Sequence, residues 1–242
     1  MSVNRVLIRL RGVVQGLGIR PSIYRIAVRN GIRGYVRNTS AGIEILAIAS
    51  MPSIERFIRE VRAISLAMIE EVDIEKIETG EGYEGFFIKE SKKGMEKEIA
   101  IPPDIAICDR CIQEMYDPKN RRYRYWFITC TACGPRFTII EGLPYDRANT
   151  SMKDFGMCRR CKKEYRDVMD RRFHAQTIAC HDCGPALYFI DSTGKSIKGD
   201  ALLNAARAIK DGRVVGVKGI GGYHLTCLAA SDRAVGLLRE RK

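Results

Sequence analysis

Eight of the nine cysteines in this 242-residue chain fall in CxxC pairs: Cys108/Cys111, Cys130/Cys133, Cys158/Cys161 and Cys180/Cys183. Two thiolates on one tight turn grip a divalent ion, and a second pair completes a tetrahedron around it. The spacing is an internal repeat. CDRC, 18 residues and CTACGPRF are followed by CRRC, 18 residues and CHDCGPAL, so each cysteine recurs 50 positions later. Arg121-Arg122-Tyr123 and Arg171-Arg172-Phe173 recur with them. The pattern predicts two structural zinc ions, each on four sulfurs, in tandem zinc-ribbon-like modules whose spacers fold as hairpins. Spacing alone leaves open whether pairs join within one copy or across the two. Four thiolates leave no coordination position for a catalytic water, so His174 and His181 are surplus as ligands. Cys227 stands outside the pattern and reads as a small buried apolar side chain.

A second chemical signal lies near the start, in GVVQGLGIR at 12–20. Gly16 and Gly18 let the backbone turn its amides inward. A helix opening near Pro21 adds its positive end, and Arg20 brings a guanidinium able to fork onto phosphate oxygens. By itself this segment is equally a plain strand–helix turn with a surface arginine. The elements that must position it are legible from periodicity. Val6, Ile8 and Leu10 alternate along a strand. Ile23, Ile26 and Ala27 share one face of the helix after Pro21, with Gly31 beyond its end. Segments 32–38 and 42–49 read as a hairpin. Ser50 caps a second helix, with Pro52 in its first turn and Ile54, Phe57, Ile58, Val61 and Ile64 on one side. Strands over 72–77 and 85–89 close a β-α-β-β-α-β unit, the ferredoxin-like α+β pattern.

GVVQGLGIR together with Gly34-Tyr35-Val36-Arg37-Asn38 closely resembles the acylphosphatase family, whose pattern is G-x-V-Q-G-V-G-F-R with G-W-V-R-N downstream. Leu17, Ile19 and Tyr35 replace Val, Phe and Trp. The resemblance implies that Arg20 binds phosphate and Asn38 orients the attacking water. It also implies that the amides of Gln15, Gly16, Leu17, Gly18, Ile19 and Arg20 cradle the anion. Such catalysis is positioning and electrostatic stabilisation.

Composition divides the chain further. The polar run at 91–100 reads as a linker. Spans of 1–91, 104–190 and 198–242 are expected as an acylphosphatase-like domain, the cysteine region and the opening of a third domain. In that last span, Leu202, Ala205, Ala206 and Ile209 mark one face of a helix. Val214–Val217 reads as a buried strand leading into KGIGGYH, and a final helix starts near Ser231-Asp232. This domain order resembles the HypF family, carbamoyltransferases of nickel–iron hydrogenase maturation, with the tail similar to the start of a YrdC-like α/β nucleotide-binding domain. The resemblance implies hydrolysis of carbamoyl phosphate, ATP as cofactor of the full-length family and HypE as carbamoyl acceptor. It implies a nucleotide role for Lys218, Gly221 and Gly222; His224 reads equally as a core residue.

The formal charge of +12 raises a rival reading, a zinc-ribbon module that binds nucleic acid. RRYRYW at 121–126 interleaves basic and aromatic residues as single-strand binders do. Eight thiolates holding two divalent ions would cancel four of those positive charges, which weakens this rival. No apolar run is long enough for a bilayer, and the first residues lack a secretory core, so a cytoplasmic protein is expected.

Overall fold

The computed structural model describes residues 3–64, 68–92 and 101–241. Two compact units divide the chain, 1–184 and 185–242. The first unit holds both the N-terminal sheet and the cysteine region up to Gly184. The polar linker expected over 91–100 falls outside the described residues from 93 onward.

The first unit begins with β1 (Asn4–Val13), α1 (Ile19–Arg29), β2 (Arg33–Thr39), β3 (Gly42–Ala49), α2 (Met51–Arg62), β4 (Met68–Lys76) and β5 (Phe86–Ile88). The strands form one sheet in the order β4-β1-β3-β2-β5. All pairs are antiparallel except β2 with β5. Strand alternation puts Val6, Ile8 and Leu10 of β1 and Ile43, Ile45 and Ala47 of β3 on one face. Ile23 and Ala27 of α1 and Ile54, Phe57 and Val61 of α2 bury against them. The same alternation makes Asn38, two residues beyond Val36, a core-facing side chain.

Gly18 is the N-cap of α1 in the left-handed region, so the helix starts at Ile19, two residues before the proline. Ser50 takes the N-cap of α2, but its hydroxyl meets Ser53 Oγ (3.1 Å), not a backbone amide.

The cysteine region is built differently from the expected hairpins. Each spacer opens with a short helix, α3 (Asp109–Tyr116) and α4 (Arg159–Arg166), capped by Cys108 and Cys158. A cysteine at the N-cap and another in the first turn place two sulfurs at the helix start, and turns then bring back the second CxxC. The repeat extends to the backbone. Arg124 and His174 are the two non-glycine residues with positive φ among the described residues. Their amides bond Met115 and Tyr165 carbonyls respectively.

The second unit contains a short ribbon, β6 (Phe189–Ile190) with β7 (Ser196–Ile197), then α5 (Ala201–Lys210). It continues with a hairpin, β8 (Val215–Lys218) with β9 (Tyr223–Thr226), and α6 (Asp232–Arg241). Asp200 caps α5 by accepting from the Leu203 amide. One expectation changes here. Only Val215 of the supposed buried strand is covered, and Val217 is exposed, because a two-stranded ribbon leaves one face in solvent. On α5 the buried residue is Ala208, while Leu202 is exposed.

Candidate active site and metal centres

The loop at 14–18 leaves β1 and enters α1 with its polar groups turned toward a small pocket. That pocket is lined by this loop, Arg20 and Asn38 on one side and by Thr131, Tyr145, His174 and Gln176 on the other. The backbone amides of Gln15, Gly16, Leu17 and Gly18 donate to no protein acceptor among the described residues. Unpaired amides at a helix N-terminus form an anion cradle. Leu17 contributes only backbone, since its side chain joins the hydrophobic core.

Arg20 is nearly buried, and its guanidinium is held from the cysteine region. Nη2 donates to Asp146 Oδ1 (2.7 Å) and to the Tyr145 carbonyl (3.3 Å), and Nη1 meets Ser91 Oγ (3.4 Å). Asn38 Nδ2 donates to the same Tyr145 carbonyl (3.2 Å). Its Oδ1 is the one buried side-chain oxygen or nitrogen without a hydrogen-bond partner among the described residues. A buried acceptor left unpaired costs about 1–3 kcal/mol, so its placement beside the cradle marks it for a water or ligand.

Gln15 carries the loop's own support. Its Nε2 donates to the Thr39 and Gly42 carbonyls (both 2.8 Å), and its Oε1 accepts the Tyr145 amide (2.9 Å). Gly18 has φ +71°, and a Cβ there would lie 2.3 Å from Thr131 Cγ2. The buried Arg136 donates to the Gly16 carbonyl and, through its other nitrogens, to the carbonyls of Cys133, Pro135 and Thr131. Tyr24 of α1 packs edge-on against Phe173 at 5.5 Å. Arg25 donates to the Val168 and Asp170 carbonyls. His174 lines the pocket, where burial, reinforced by the Arg20 charge, pushes its pKa down to about 4.

The two cysteine clusters are the second site, and the geometry settles their pairing within each copy. Cys108, Cys111, Cys130 and Cys133 form one group and Cys158, Cys161, Cys180 and Cys183 the other, all sulfurs of a group within 4.8 Å of one another. Neighbouring sulfurs are 3.6–3.8 Å apart in both. A tetrahedral ion with metal–sulfur bonds of ~2.3 Å requires edges of about 3.8 Å, so both groups fit. The crowded thiols also perturb one another: hydrogen bonding with Cys130 and Cys133 drives Cys111 far up, and Cys130 is driven far down. A cation that takes all four as thiolates removes this conflict.

The repeated arginine pairs cross between the copies. Arg121, from the first spacer, reaches the second cluster, its Nη2 3.0 Å from Cys180 Sγ and 3.4 Å from Cys161 Sγ. Arg171, from the second spacer, reaches the first, its Nη2 3.0 Å from Cys111 Sγ and 3.2 Å from Cys108 Sγ. Glu164 holds Arg121 and Arg122, and Glu114 holds Arg171 and Arg172. Burial alone would raise Glu164; the Arg122 and Arg121 guanidiniums outweigh it and keep it below the usual carboxylate range. Half of the RRYRYW segment is spent internally: Arg122 and Tyr125 are buried and Arg121 serves the thiolates, while Tyr123 and Arg124 are exposed. His181 Nε2 lies 2.9 Å from the Tyr123 carbonyl, outside both clusters, and Cys227 is half-buried rather than buried.

In the second unit, Lys218 and Gly221 are exposed on the β8–β9 hairpin, Gly222 is partly covered, and Lys218 Nζ sits 5.0 Å from the Tyr223 ring centre. The three residues line neither the pocket at Arg20 nor the groove beside α4.

Fold and sites define an acylphosphatase-fold domain clasped to a pair of four-cysteine fingers. Residues 6–88 match the acylphosphatase family, and residues 107–140 and 157–190 each match the HypF finger. An acylphosphatase of Thermotoga maritima is 39% identical over 84 residues, covering 34% of this chain and 92% of that one. A probable carbamoyltransferase HypF of Methanocaldococcus jannaschii is 49% identical over 98% of this chain and 32% of its own length. A crystal structure of full-length HypF in its phosphate- and nucleotide-bound form superposes with a TM-score of 0.93 at 44% identity, over 99% of this chain and 32% of that one. Residues 6–88 belong to the acylphosphatase family, and nearly the whole chain is similar to the HypF carbamoyltransferases. The chain spans about a third of the length of the curated carbamoyltransferases it matches. No helix among the described residues is long and apolar enough to cross a membrane.

Proposed function

We propose that this chain hydrolyses acyl phosphates at Arg20 and Asn38, with carbamoyl phosphate as the substrate. The observation that carries the reading is the unpaired Asn38 Oδ1 beside the open amides of the 15–18 loop. Those amides and Arg20 neutralise the phosphoryl oxygens. Asn38 Oδ1 accepts from a water and aims it at phosphorus. The water oxygen bonds to phosphorus as the bond from phosphorus to the carbamoyl oxygen breaks, and both water protons stay with the phosphate. Carbamate leaves as a stable anion, so its oxygen requires no acid. Exclusion of bulk water under the Tyr145 segment strengthens each of these interactions.

Zinc is the ion that best suits the two tetrahedral four-sulfur clusters, and with every position filled its role is structural. Clusters of free thiols suit a reducing compartment, which supports a cytoplasmic setting. In the wider reaction, carbamate passes to an ATP-dependent step and on to HypE. Lys218, Gly221 and Gly222 contribute to the nucleotide site of that later step.

Steady-state hydrolysis of carbamoyl phosphate by wild type and N38A tests this reading. Removal of the water acceptor lowers kcat by about 100-fold with KM little changed, the signature of an interaction made only in the transition state. An unchanged kcat would overturn it.

A further inference from the structure

We propose that Asp146, carried in from the connection between the two fingers, sets how tightly the site holds phosphate by competing with it for Arg20. This rests on Arg20 being the phosphate-binding residue. A guanidinium presents two forks, and both include its Nη2 nitrogen. Here Nη2 is engaged twice, by the Asp146 carboxylate at 2.7 Å and by the Tyr145 carbonyl at 3.3 Å. A phosphoryl group therefore gains a bidentate bond to Arg20 only by displacing one of them.

The two partners are not equally free to leave. Tyr145 is pinned on both sides. Its amide donates to Gln15 Oε1, the Pro144 carbonyl accepts from Asn149 Nδ2 (2.7 Å), and the Arg147 amide donates to Gln176 Oε1 (2.9 Å). The Tyr145 residue itself is 3% exposed. The Asp146 side chain is 25% exposed and can swing toward water by rotation about one bond. Asp146 is thus the exchangeable ligand. Its negative charge opposes the incoming dianion until it swings away, and it re-forms the ion pair as phosphate departs. Affinity for the phosphoryl group is the difference between two ion pairs, and the exchange speeds release of product phosphate.

The test is a titration with inorganic phosphate, read by phosphorus NMR and by competitive inhibition of acetyl phosphate hydrolysis, on wild type, D146N, D146A and D146E. Melting temperature and bound metal verify that each variant is folded. D146N and D146A are expected to bind phosphate about tenfold more tightly, because a neutral partner competes less with the anion. KM for acetyl phosphate falls in step with the inhibition constant, while D146E stays near wild type. Unchanged affinity in both D146N and D146A, or weaker affinity, overturns the proposal. The reading of Arg20 is checked separately: R20A that binds phosphate as wild type does removes the site itself, whatever D146N shows.

Discussion

Arg20 and Asn38 owe their geometry to residues more than a hundred positions away. The Tyr145 carbonyl accepts from both side chains, and Asp146 pairs with Arg20. The 12–20 segment read alone is ambiguous because a glycine turn followed by arginine has many uses. The pairing with Asn38 across β2 makes it a site. Tyr145 and Asp146 carry no such signal, since the connection between the repeats has no counterpart to be compared with. Arg136 does leave a trace: the repeated Cys-Gly-Pro is followed by Arg136 in the first copy and Ala186 in the second, and that arginine grips the loop. His174 is the residue whose titration reports on this packing. Its folded pKa of about 4 lies below the ordinary histidine value, so the folded state favours the neutral ring. The stability this represents is complete above about pH 6.5, decreases as pH falls toward 4, and amounts to on the order of 3 kcal/mol. Asparagine tolerates the left-handed backbone at this position. Thermal unfolding of wild type and H174N at pH 7 and pH 4.5 therefore shows a smaller acid-induced loss in the variant; equal losses would remove His174 as the sensor.

At the scale of elements, the finger helices show what a repeat conveys and what it conceals. Equal offsets announce two copies of one metal module, yet they do not say that each copy supplies the arginine for the other. That exchange arises because a spacer opening with a helix carries its arginine pair beyond its own cluster, to the neighbour's thiolates. Hydrogen bonds from charged donors contribute about 1.5–3 kcal/mol. R121A should thus weaken metal at Cys158, Cys161, Cys180 and Cys183, and R171A at Cys108, Cys111, Cys130 and Cys133, each by about tenfold or more. Chelator-driven metal release, with the retained ion assigned by cysteine protection mapping, checks this. Loss from the cluster on the mutated arginine's own spacer would contradict the crossed arrangement. Strand and helix periodicity found the N-terminal sheet because β1, β2, β3, α1 and α2 bury apolar residues against one another. It found α5 and β8 as elements, but it took β8 for a buried strand, whereas Val217 lies exposed.

Residues 1–184 form one compact unit. The contrast between a small enzyme domain and an adjoining metal scaffold, natural from composition, dissolves at the loop. Thr131 lies against Gly18, Arg136 holds the Gly16 carbonyl, and Arg25 and Tyr24 fasten α1 to the second finger. Composition shifts mark where the chain changes character but carry no information on which pieces pack together, so the expected spans of 1–91 and 104–190 gave no sign of this union. The fingers in this arrangement form one wall of the pocket at Arg20, and the proposed chemistry depends on the guanidinium that faces it. The most direct measurement is the rate of carbamoyl phosphate hydrolysis by the whole chain, wild type against R20A. The account predicts a drop of about 100-fold or more in kcat/KM with metal content unchanged; equal rates in the two would contradict it.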